Sequence, residues 1–369
     1  MELNKGRNKW KISITSLVVI IVAILVIAIV NFTGFAILNN KDQEVRIGAT
    51  FPLTGGLAAY GKGYKNGAVL AQKKINNNGG INGKNLNIIF QDNKGDAKTV
   101  VSDVKYLIEV EDVPIVLNSM EYLTLVSKSI TEKNKVIMLT FTTYLLSEKD
   151  NPKYLYKDSW NFRNVGEDFG KAANEINAEK LAVIRLKDSS YEDLKLSFFN
   201  EFDGKIVIDE TYNFGEKDFK SILTKIKNRD VDTILIYSYP VEVSLILKQM
   251  AELDMDNYNL ITTEGAETFV MQGNLELLQS TNAISYHGAE LQGPEWFVQE
   301  YKERFGSNPR PDSYYTYDSV IMFSKAMEIC GEDVECIKKE ISDEFDEYHN
   351  KDRDLPIVQY DNGWKEFKL

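Results

Sequence analysis

Short apolar runs alternate with amphipathic stretches along most of this chain, and this alternation restricts its fold more than any other feature. A short apolar run between polar segments is typical of a buried strand, and apolar residues at helical spacing predict a helix. Strands that alternate with helices favour right-handed crossovers and parallel sheets covered by helices on both faces. The predicted strands are VRIGATF, LNIIFQ, PIVLN, VIMLT, LAVIRL, KIVIDE, TILIY and NLITT.

These units are too many for one sheet, and 369 residues are enough for two domains. The segment SEKDNPKYLYKD, residues 147–158, interrupts the alternation with charged residues and a proline. We therefore expect two α/β lobes. Further along, helices are predicted at residues 295–305, 313–330 and 334–344, followed by strands LPIVQY and WKEFKL around a turn at 361–363.

The amino-terminal segment differs from the rest of the chain. Residues 1–11 contain four basic residues and one acid, and residues 12–38 contain no charged residue. A helix over 12–38, at about 1.5 Å per residue, is longer than the roughly 30 Å of hydrocarbon in a bilayer. We expect a cytoplasmic tail at 1–11, a transmembrane helix at 12–38, a linker at 39–44 and an extracellular remainder. The alternative is a cleaved signal peptide, whose apolar region is usually about 7 to 15 residues.

The charge balance excludes some classes of partner. The net charge is -12, and since residues 1–11 contribute +3, the rest of the chain carries -15. An acidic domain of this kind is not expected to bind nucleic acid or an anionic lipid surface. A cationic ligand fits this charge, but an acidic surface also serves solubility.

Cys330 and Cys336 are the two cysteines of the chain, in the segment EICGEDVEC. In an exported domain, two cysteines at this spacing around Gly331 predict a disulfide across a turn between helices. The alternative is a pair of free thiols. A metal site is not expected, because His287 and His349 are the only histidines.

Neither a cofactor site nor a catalytic site is predicted. Gly61, Gly63 and Gly67 follow the first strand as G-x-G-x-x-x-G, one residue away from the dinucleotide fingerprint, so a tightly turning loop is the favoured interpretation. No G-x-S-x-G motif is present, and His349 lies in YHNKDRD, which is typical of a solvated loop. We therefore do not expect an enzyme; an enzyme on the same fold is the alternative.

Aromatic residues and one acid stand where predicted strands give way to loops, the edge at which parallel sheets bind ligands. Together they favour a cleft between the lobes in which an ammonium group pairs with the acid and lies against aromatic rings. The alternatives are core tyrosines and an acid that caps a helix. The residues are Tyr60, Tyr144, Tyr191, Tyr239 and Glu264.

Several segments share a pattern with one known family. They are VRIGATFPLTGGLAAYG, NGAVLAQKKINNNGGINGKNLNIIFQDNKGDAKTVVSDV, FGEKDFKSILTKIKNRDVDTILIY, SYPVEVSLILKQM and TTEG. From about residue 45 to residue 364 the chain resembles the branched-chain amino-acid binding proteins, the type I periplasmic family that serves importers of the ABC class. The resemblance implies two Rossmann-like lobes with parallel-sheet cores, joined by a hinge of three crossings.

The resemblance also implies that each lobe is discontinuous in sequence. We expect lobe 1 to comprise 45–163 and 289–360, and lobe 2 to comprise 164–288 and 361–369. The crossings are then expected near Asn164, Gly288 and Asp361.

Ligand-binding residues are implied by the same resemblance. In lobe 2, Tyr191 and Tyr239 match the family's two tyrosines, and Glu264 matches the glutamate that takes the ligand's ammonium group. Tyr60 matches the lobe 1 tyrosine. The positions that hold the ligand's carboxylate in relatives depart from the family: they carry Glu121, Thr142 and Tyr144 here. A small shift in alignment would bring Ser119 to the position of Glu121.

These inferences predict a membrane-tethered, extracellular solute-binding protein that captures an amino acid or a related amine for ABC permease subunits, by closure of a hinge. Because an acid at position 121 repels a carboxylate, a ligand without a carboxylate is one alternative. A sensor of amides or amines that acts with a partner signalling protein is another.

Overall fold

Two sheets hold the strands of the protein. The computed structural model describes residues 44–142, 152–160, 162–187, 189–263, 266, 275–286, 293–347, 349–353 and 357–369. The strands are β1 Glu44–Phe51, β2 Asn85–Asp92, β3 Ile115–Ser119, β4 Ile137–Phe141, β5 Leu155–Ser159, β6 Lys180–Leu186, β7 Lys205–Tyr212, β8 Thr233–Tyr237, β9 Asn259–Thr262, β10 Ile284–Tyr286, β11 Asn350–Asp352, β12 Ile357–Tyr360 and β13 Trp364–Glu366.

The first sheet has the order β11-β5-β4-β3-β1-β2 and is parallel throughout. The second has the order β13-β12-β10-β9-β8-β6-β7; it is parallel from β7 to β10, and β12 and β13 are antiparallel additions at one edge. The all-buried runs of β3, β4 and β8 form the centres of these sheets. The eight strands predicted from the alternation are all present, so the α/β prediction is confirmed.

Eleven helices of the described residues connect the strands. They are α1 Ala58–Asn77, α2 Ala97–Glu109, α3 Glu121–Asn134, α4 Phe162–Glu175, α5 Ser189–Glu201, α6 Lys220–Lys227, α7 Pro240–Glu252, α8 Leu275–Ser280, α9 Glu295–Phe305, α10 Pro311–Cys330 and α11 Val334–Ile341. With the first sheet, α1 packs against α10 and α2 against α3; with the second, α4 packs against α5 and α6 against α7. We call these two assemblies lobe 1 and lobe 2.

The chain passes between the sheets three times. The first passage follows Ser159, and the second lies between Tyr286 and Glu295, in a stretch where Gly288 is outside the described residues. The third lies between Asp352 and Ile357. This third crossing comes before the position expected near Asp361. By β12 the chain is already part of lobe 2, because β12 pairs with β10.

The charged segment that was expected to interrupt the alternation contains a buried strand. In β5, Lys157 and Asp158 have no exposed surface. Lys157 Nζ donates to the carbonyl oxygen of Ser159 at 3.0 Å. Asp158 receives two hydrogen bonds from Arg353, Nε to Oδ1 at 2.6 Å and a terminal nitrogen to Oδ2 at 2.7 Å. Long-range pairing therefore makes an interior strand from a segment that looks solvated in sequence.

Arg353 connects two of the three passages between the lobes through its hydrogen bonds to Asp158. It lies between β11 and β12, on the third passage, whereas Asp158 is adjacent to the first. Arg353 also donates to Asp318 at 2.7 Å, and Ser319 donates to Asp158 Oδ2 at 2.6 Å, both from α10. Burial by itself would lower the pKa of Arg353, but its hydrogen bonds to Asp158 and Asp318 raise it, so the guanidinium stays charged. This network gives the hinge a fixed anchor in lobe 1.

The glycines predicted to form a turning loop lie inside α1 instead. A Cβ on Gly61 would lie 2.2 Å from the carbonyl oxygen of Pro52, and one on Gly67 would lie 1.9 Å from that of Ser313. Glycine is therefore required for close approach of α1 to the β1–α1 loop and to α10. The spacing reflects helix packing and not a phosphate site.

The predicted disulfide is confirmed. Cys330, the last residue of α10, is bonded to Cys336 in α11, with the Cα atoms 5.6 Å apart. Gly331 between them has φ 61°, a left-handed conformation that favours glycine. The bond therefore joins two helices across the turn that the sequence indicates.

The neighbourhood of His349 corrects another expectation. The segment after it forms β11, which pairs with β5, and the His349 ring stacks on Tyr156 with the ring centres 4.2 Å apart. Burial lowers the pKa of His349, so the neutral ring is favoured. His349 thus packs at the edge of lobe 1 instead of standing in a solvated loop.

The predicted anchor at 12–38 lies outside the described residues. None of the helices that the structure describes combines the length and the apolar character needed to cross a bilayer.

Candidate functional site

A cavity of about 60 Å³ lies between the two lobes. Its walls come from the ends of β3, β4 and β5 and the start of α1 in lobe 1, and from α5, β10 and the loop before α7 in lobe 2. The described lining residues are mainly aromatic: Tyr60, Tyr64, Met120, Glu121, Tyr122, Phe141, Thr142, Ser159, Trp160, Phe162, Tyr191, Tyr239 and Tyr286.

The two lobes meet at Tyr60 and Tyr239. Tyr60, in the first turn of α1, is 7 % exposed, and Tyr239 lies directly before Pro240, where α7 begins. Their ring centres are 6.2 Å apart in an edge-to-face arrangement. Since aromatic pairs at this distance attract, the contact favours the closed arrangement of the lobes.

Tyr191 forms the lobe 2 side of the cavity. Its ring stacks on Phe162 at 5.1 Å, lies parallel to Tyr237 at 6.3 Å, and contacts Tyr239 edgewise at 6.3 Å. Burial raises the pKa of Tyr237 well above its usual value, so its hydroxyl is neutral at physiological pH. Tyr191 and Tyr239 therefore form an aromatic wall of the cavity, and the fully buried Tyr237 packs against Tyr191.

An ion pair between the partly exposed Arg310 and the buried Asp312 lies against the Tyr60 ring. The guanidinium of Arg310 lies 4.1 Å from the Tyr60 ring centre, and its Nε is 3.2 Å from Oδ2 of the buried Asp312. Gly63 makes room for this pair, because a Cβ there would lie 2.9 Å from Asp312 Oδ1. Cation–π contact and glycine spacing together fix the position of the Tyr60 ring.

The turn from β3 into α3 positions Glu121. Met120 has φ 63° and ψ 135°, a conformation that costs a non-glycine residue roughly 1–3 kcal/mol. Glu121 follows as the first residue of α3 and lines the cavity, whereas Ser119 is fully buried and is not among the described lining residues. Strained backbone conformations of this kind often occur at ligand sites.

Trp160 contributes a buried donor to the same wall. It is 5 % exposed, lines the cavity, and packs against Tyr286 and Tyr315 at 6.3 and 5.8 Å. Its Nε1 is buried and finds no acceptor among the described residues. An unpaired buried donor is costly, so a polar ligand atom would be stabilised there.

Five of the residues predicted from sequence line one cavity: Tyr60, Glu121, Thr142, Tyr191 and Tyr239. Ser119 does not join them. Tyr144 and Glu264 lie outside the described residues. Four aromatic lining residues were not predicted from sequence. Tyr64 lies one helical turn from Tyr60, and Phe162 is the first residue of α4. Trp160 directly follows β5 and Tyr286 ends β10, two strands that the sequence did not predict.

This arrangement defines a class of protein: two α/β lobes joined by three crossings, with a small cavity enclosed between them. Within the described chain, no group of three or more acidic, histidine or cysteine side chains could hold a metal ion. The chain belongs to the periplasmic binding protein family, whose model matches residues 44–343. Members of that family are solute-binding proteins rather than enzymes.

Individual relatives agree with this assignment and confirm the predicted resemblance. The Leu/Ile/Val-binding protein homolog 1 of Brucella suis is 26 % identical over 307 residues, which cover 78 % of this chain and 79 % of the relative. The leucine-, isoleucine-, valine-, threonine- and alanine-binding protein of Pseudomonas aeruginosa is 25 % identical, with 81 % and 82 % covered.

A solved structure shows the same fold. It is the branched-chain amino acid transporter substrate binding protein LivJ of Streptococcus pneumoniae in complex with isoleucine. This chain superposes on it with a TM-score of 0.78 and 25 % identity, covering 87 % of this chain and 97 % of that one.

Proposed function

We propose that this protein captures an amino acid or a related small amine-bearing ligand between its two lobes and passes it to the permease of an ABC importer. The observation that carries the proposal is the Tyr60–Tyr239 contact across the aromatic cavity. A ligand that touches both lobes stabilises the closed arrangement in proportion to its preference for it. The names of the relatives support an amino-acid ligand.

Glu264 is proposed to accept the ligand's ammonium group. In the sequence it follows β9 by one residue, Thr263, which is fully buried. The rings of Tyr191 and Tyr239, which line the cavity, suit a cation, because aromatic faces attract positive charge. A carboxylate in such a wall would distinguish amines from neutral ligands of the same shape.

Thermal unfolding of the full-length chain in mild detergent tests this proposal. A ligand that binds only the native state adds about 2.7 kcal/mol at a hundred times its dissociation constant. We expect stabilisation by at least one amine in a panel of leucine, isoleucine, valine, their amides and 3-methylbutylamine, and loss of that effect in Glu264→Gln. Stabilisation by 4-methylpentanoate, which lacks the amine, or silence across the panel would contradict the proposal.

The membrane tether and the permease are also proposals. Residues 12–38 are uncharged and long enough to span a bilayer, and ABC importers use binding proteins of this family. We expect the chain to stay with membranes after alkaline carbonate extraction and to copurify with permease subunits. Release into the supernatant would contradict the tether, and copurification with a signalling kinase in place of a permease would indicate a sensor.

A further inference from the structure

The loop between β7 and α6, residues 213–219, brings an aromatic ring against a wall of the cavity. Phe214 lies two residues beyond the carboxyl end of β7, an edge strand of lobe 2. Its ring centre is 5.7 Å from that of Tyr239, at an angle of 88°. Phe214 is 61 % exposed and is not one of the described lining residues. Since single exposed apolar residues are common on protein surfaces, its contact with a lining residue is the informative feature.

Tyr239 is contacted edge-to-face by one ring from each lobe. Tyr60 of lobe 1 lies at 6.2 Å and 79°, and Phe214 of lobe 2 lies at 5.7 Å and 88°. The contact with Tyr60 depends on closure of the lobes. The contact with Phe214 does not, because both of its rings belong to lobe 2. Phe214 therefore holds the Tyr239 ring whether or not the lobes are closed.

Glu242 fixes the backbone beside Phe214. It lies in the first turn of α7, is 3 % exposed, and accepts a hydrogen bond at Oε1 from the backbone N–H of Gly215 at 3.2 Å. Its other oxygen, Oε2, is buried and has no hydrogen-bond partner in the described chain. Gly215 has φ 86°, a conformation that favours glycine. The hydrogen bond of this buried acid thus orders the turn that carries Phe214.

Gln249 fixes the other end of the same loop. It lies about two turns further along α7 and is buried. Its Nε2 donates to the carbonyl oxygen of Lys217 at 2.8 Å, and its Oε1 accepts from the backbone N–H of Phe219 at 2.7 Å. Because Tyr239 directly precedes α7, the same helix holds both partners of the Phe214–Tyr239 contact.

We infer, on the basis of the proposed function, that Phe214 is a positioning residue of the ligand site. It holds the ring of Tyr239 in the orientation that meets Tyr60 and the ligand, and Glu242 holds Phe214 through Gly215. Phe214 acts through Tyr239 and not by touching the ligand. An aromatic pair of this geometry favours one ring orientation, and a wall that is already oriented costs less to order when a ligand binds.

Titration calorimetry on the full-length chain in mild detergent tests this inference, with L-leucine, L-leucinamide and 3-methylbutylamine as probes. We expect Phe214→Ala to lower the affinity for the tightest-binding probe about threefold to tenfold, the effect of one aromatic pair. Phe214→Tyr keeps the ring and should retain the affinity. Ile206→Ala is the control, because Ile206 is an exposed apolar residue at the opposite end of β7; it should leave the affinity unaltered.

A double-mutant cycle distinguishes positioning from direct contact with the ligand. If Phe214 acts through Tyr239, Phe214→Ala should not change probe affinity further in the Tyr239→Ala background. The same cycle read from urea unfolding needs no ligand. There we expect the two substitutions to be coupled about threefold to tenfold in the unfolding equilibrium constant.

Two substitutions of Glu242 test its part in this arrangement. Glu242→Leu removes the acceptor at a similar volume and should lower probe affinity in the same direction as Phe214→Ala. Glu242→Gln keeps an acceptor oxygen for Gly215 and should retain the affinity.

An unchanged affinity in Phe214→Ala, or an equal loss with and without Tyr239, would overturn the inference and leave the proposed function standing. Additive effects on unfolding would also overturn it. If none of the three probes binds the wild type, the proposed function fails, and the unfolding cycle alone decides whether Phe214 holds Tyr239.

Discussion

Asp158→Ala is expected to lower the free energy of unfolding by about 3–5 kcal/mol, the range for breaking a buried ion pair. Asp158 has no exposed surface, and its removal leaves Arg353, which is 17 % exposed, without its bidentate partner. Ser319 loses its acceptor at the same time. Because these groups connect the first and third passages between the lobes, the substitution removes contacts within the hinge. Urea unfolding followed by circular dichroism measures the change.

Two comparisons keep that prediction testable. Asp158→Asn retains the side-chain shape and one acceptor oxygen. It should therefore lower the free energy of unfolding by less than Asp158→Ala, and it should fold even if the alanine variant does not. Asp230→Ala removes an exposed partner of Lys180 and should change stability little, because surface pairs are screened by solvent. Equal effects of Asp158→Ala and Asp230→Ala would refute the role of the network.

Gly67→Ala is expected to destabilise lobe 1 by about 3 kcal/mol, the upper part of the usual range for overpacking. The new Cβ would lie 1.9 Å from the carbonyl oxygen of Ser313, a backbone atom that cannot rotate away. The helices α1 and α10 must therefore separate. Since Arg310, just before α10, lies over Tyr60, ligand affinity should fall together with stability.

Gly56→Ala is the matched control for this substitution. Nothing lies within 4 Å of the Cβ that it would add, and its φ lies outside the left-handed region. We expect its thermal unfolding midpoint to remain near that of the wild type. A midpoint for Gly67→Ala that matches this control would contradict the packing interpretation.

The regular part of the fold could be predicted from sequence because local patterns determine it. Apolar runs such as TILIY became the central, fully buried strands, and the hairpin at residues 361–363 formed between β12 and β13. The strand β5 could not be predicted, because its charged residues Lys157 and Asp158 look solvated in sequence, and the partner of Asp158, Arg353, comes from a distant part of the chain. Such pairing is invisible to a local pattern.

The candidate site was likewise predicted only where local sequence motifs determine it. Tyr60, Tyr191 and Tyr239 were found through family motifs, and they do meet around one cavity. Trp160 and Tyr286 were not found, since their contribution depends on where the chain passes between lobes. The choice between Ser119 and Glu121 required the turn at Met120, whose positive φ no residue type in that segment predicts.

The most direct test of a ligand held between two lobes is calorimetric titration of matched variants, one from each lobe. Leucine and leucinamide would be titrated into the wild type, Tyr60→Ala and Tyr239→Ala, with the exposed Tyr106→Ala as control. If the ligand is enclosed by both lobes, Tyr60→Ala and Tyr239→Ala each lower the affinity for the tighter-binding probe by about tenfold or more, because each removes an aromatic contact. Tyr106→Ala leaves that affinity unchanged. Weakening by only one of the two variants, or by neither, would contradict binding between the lobes.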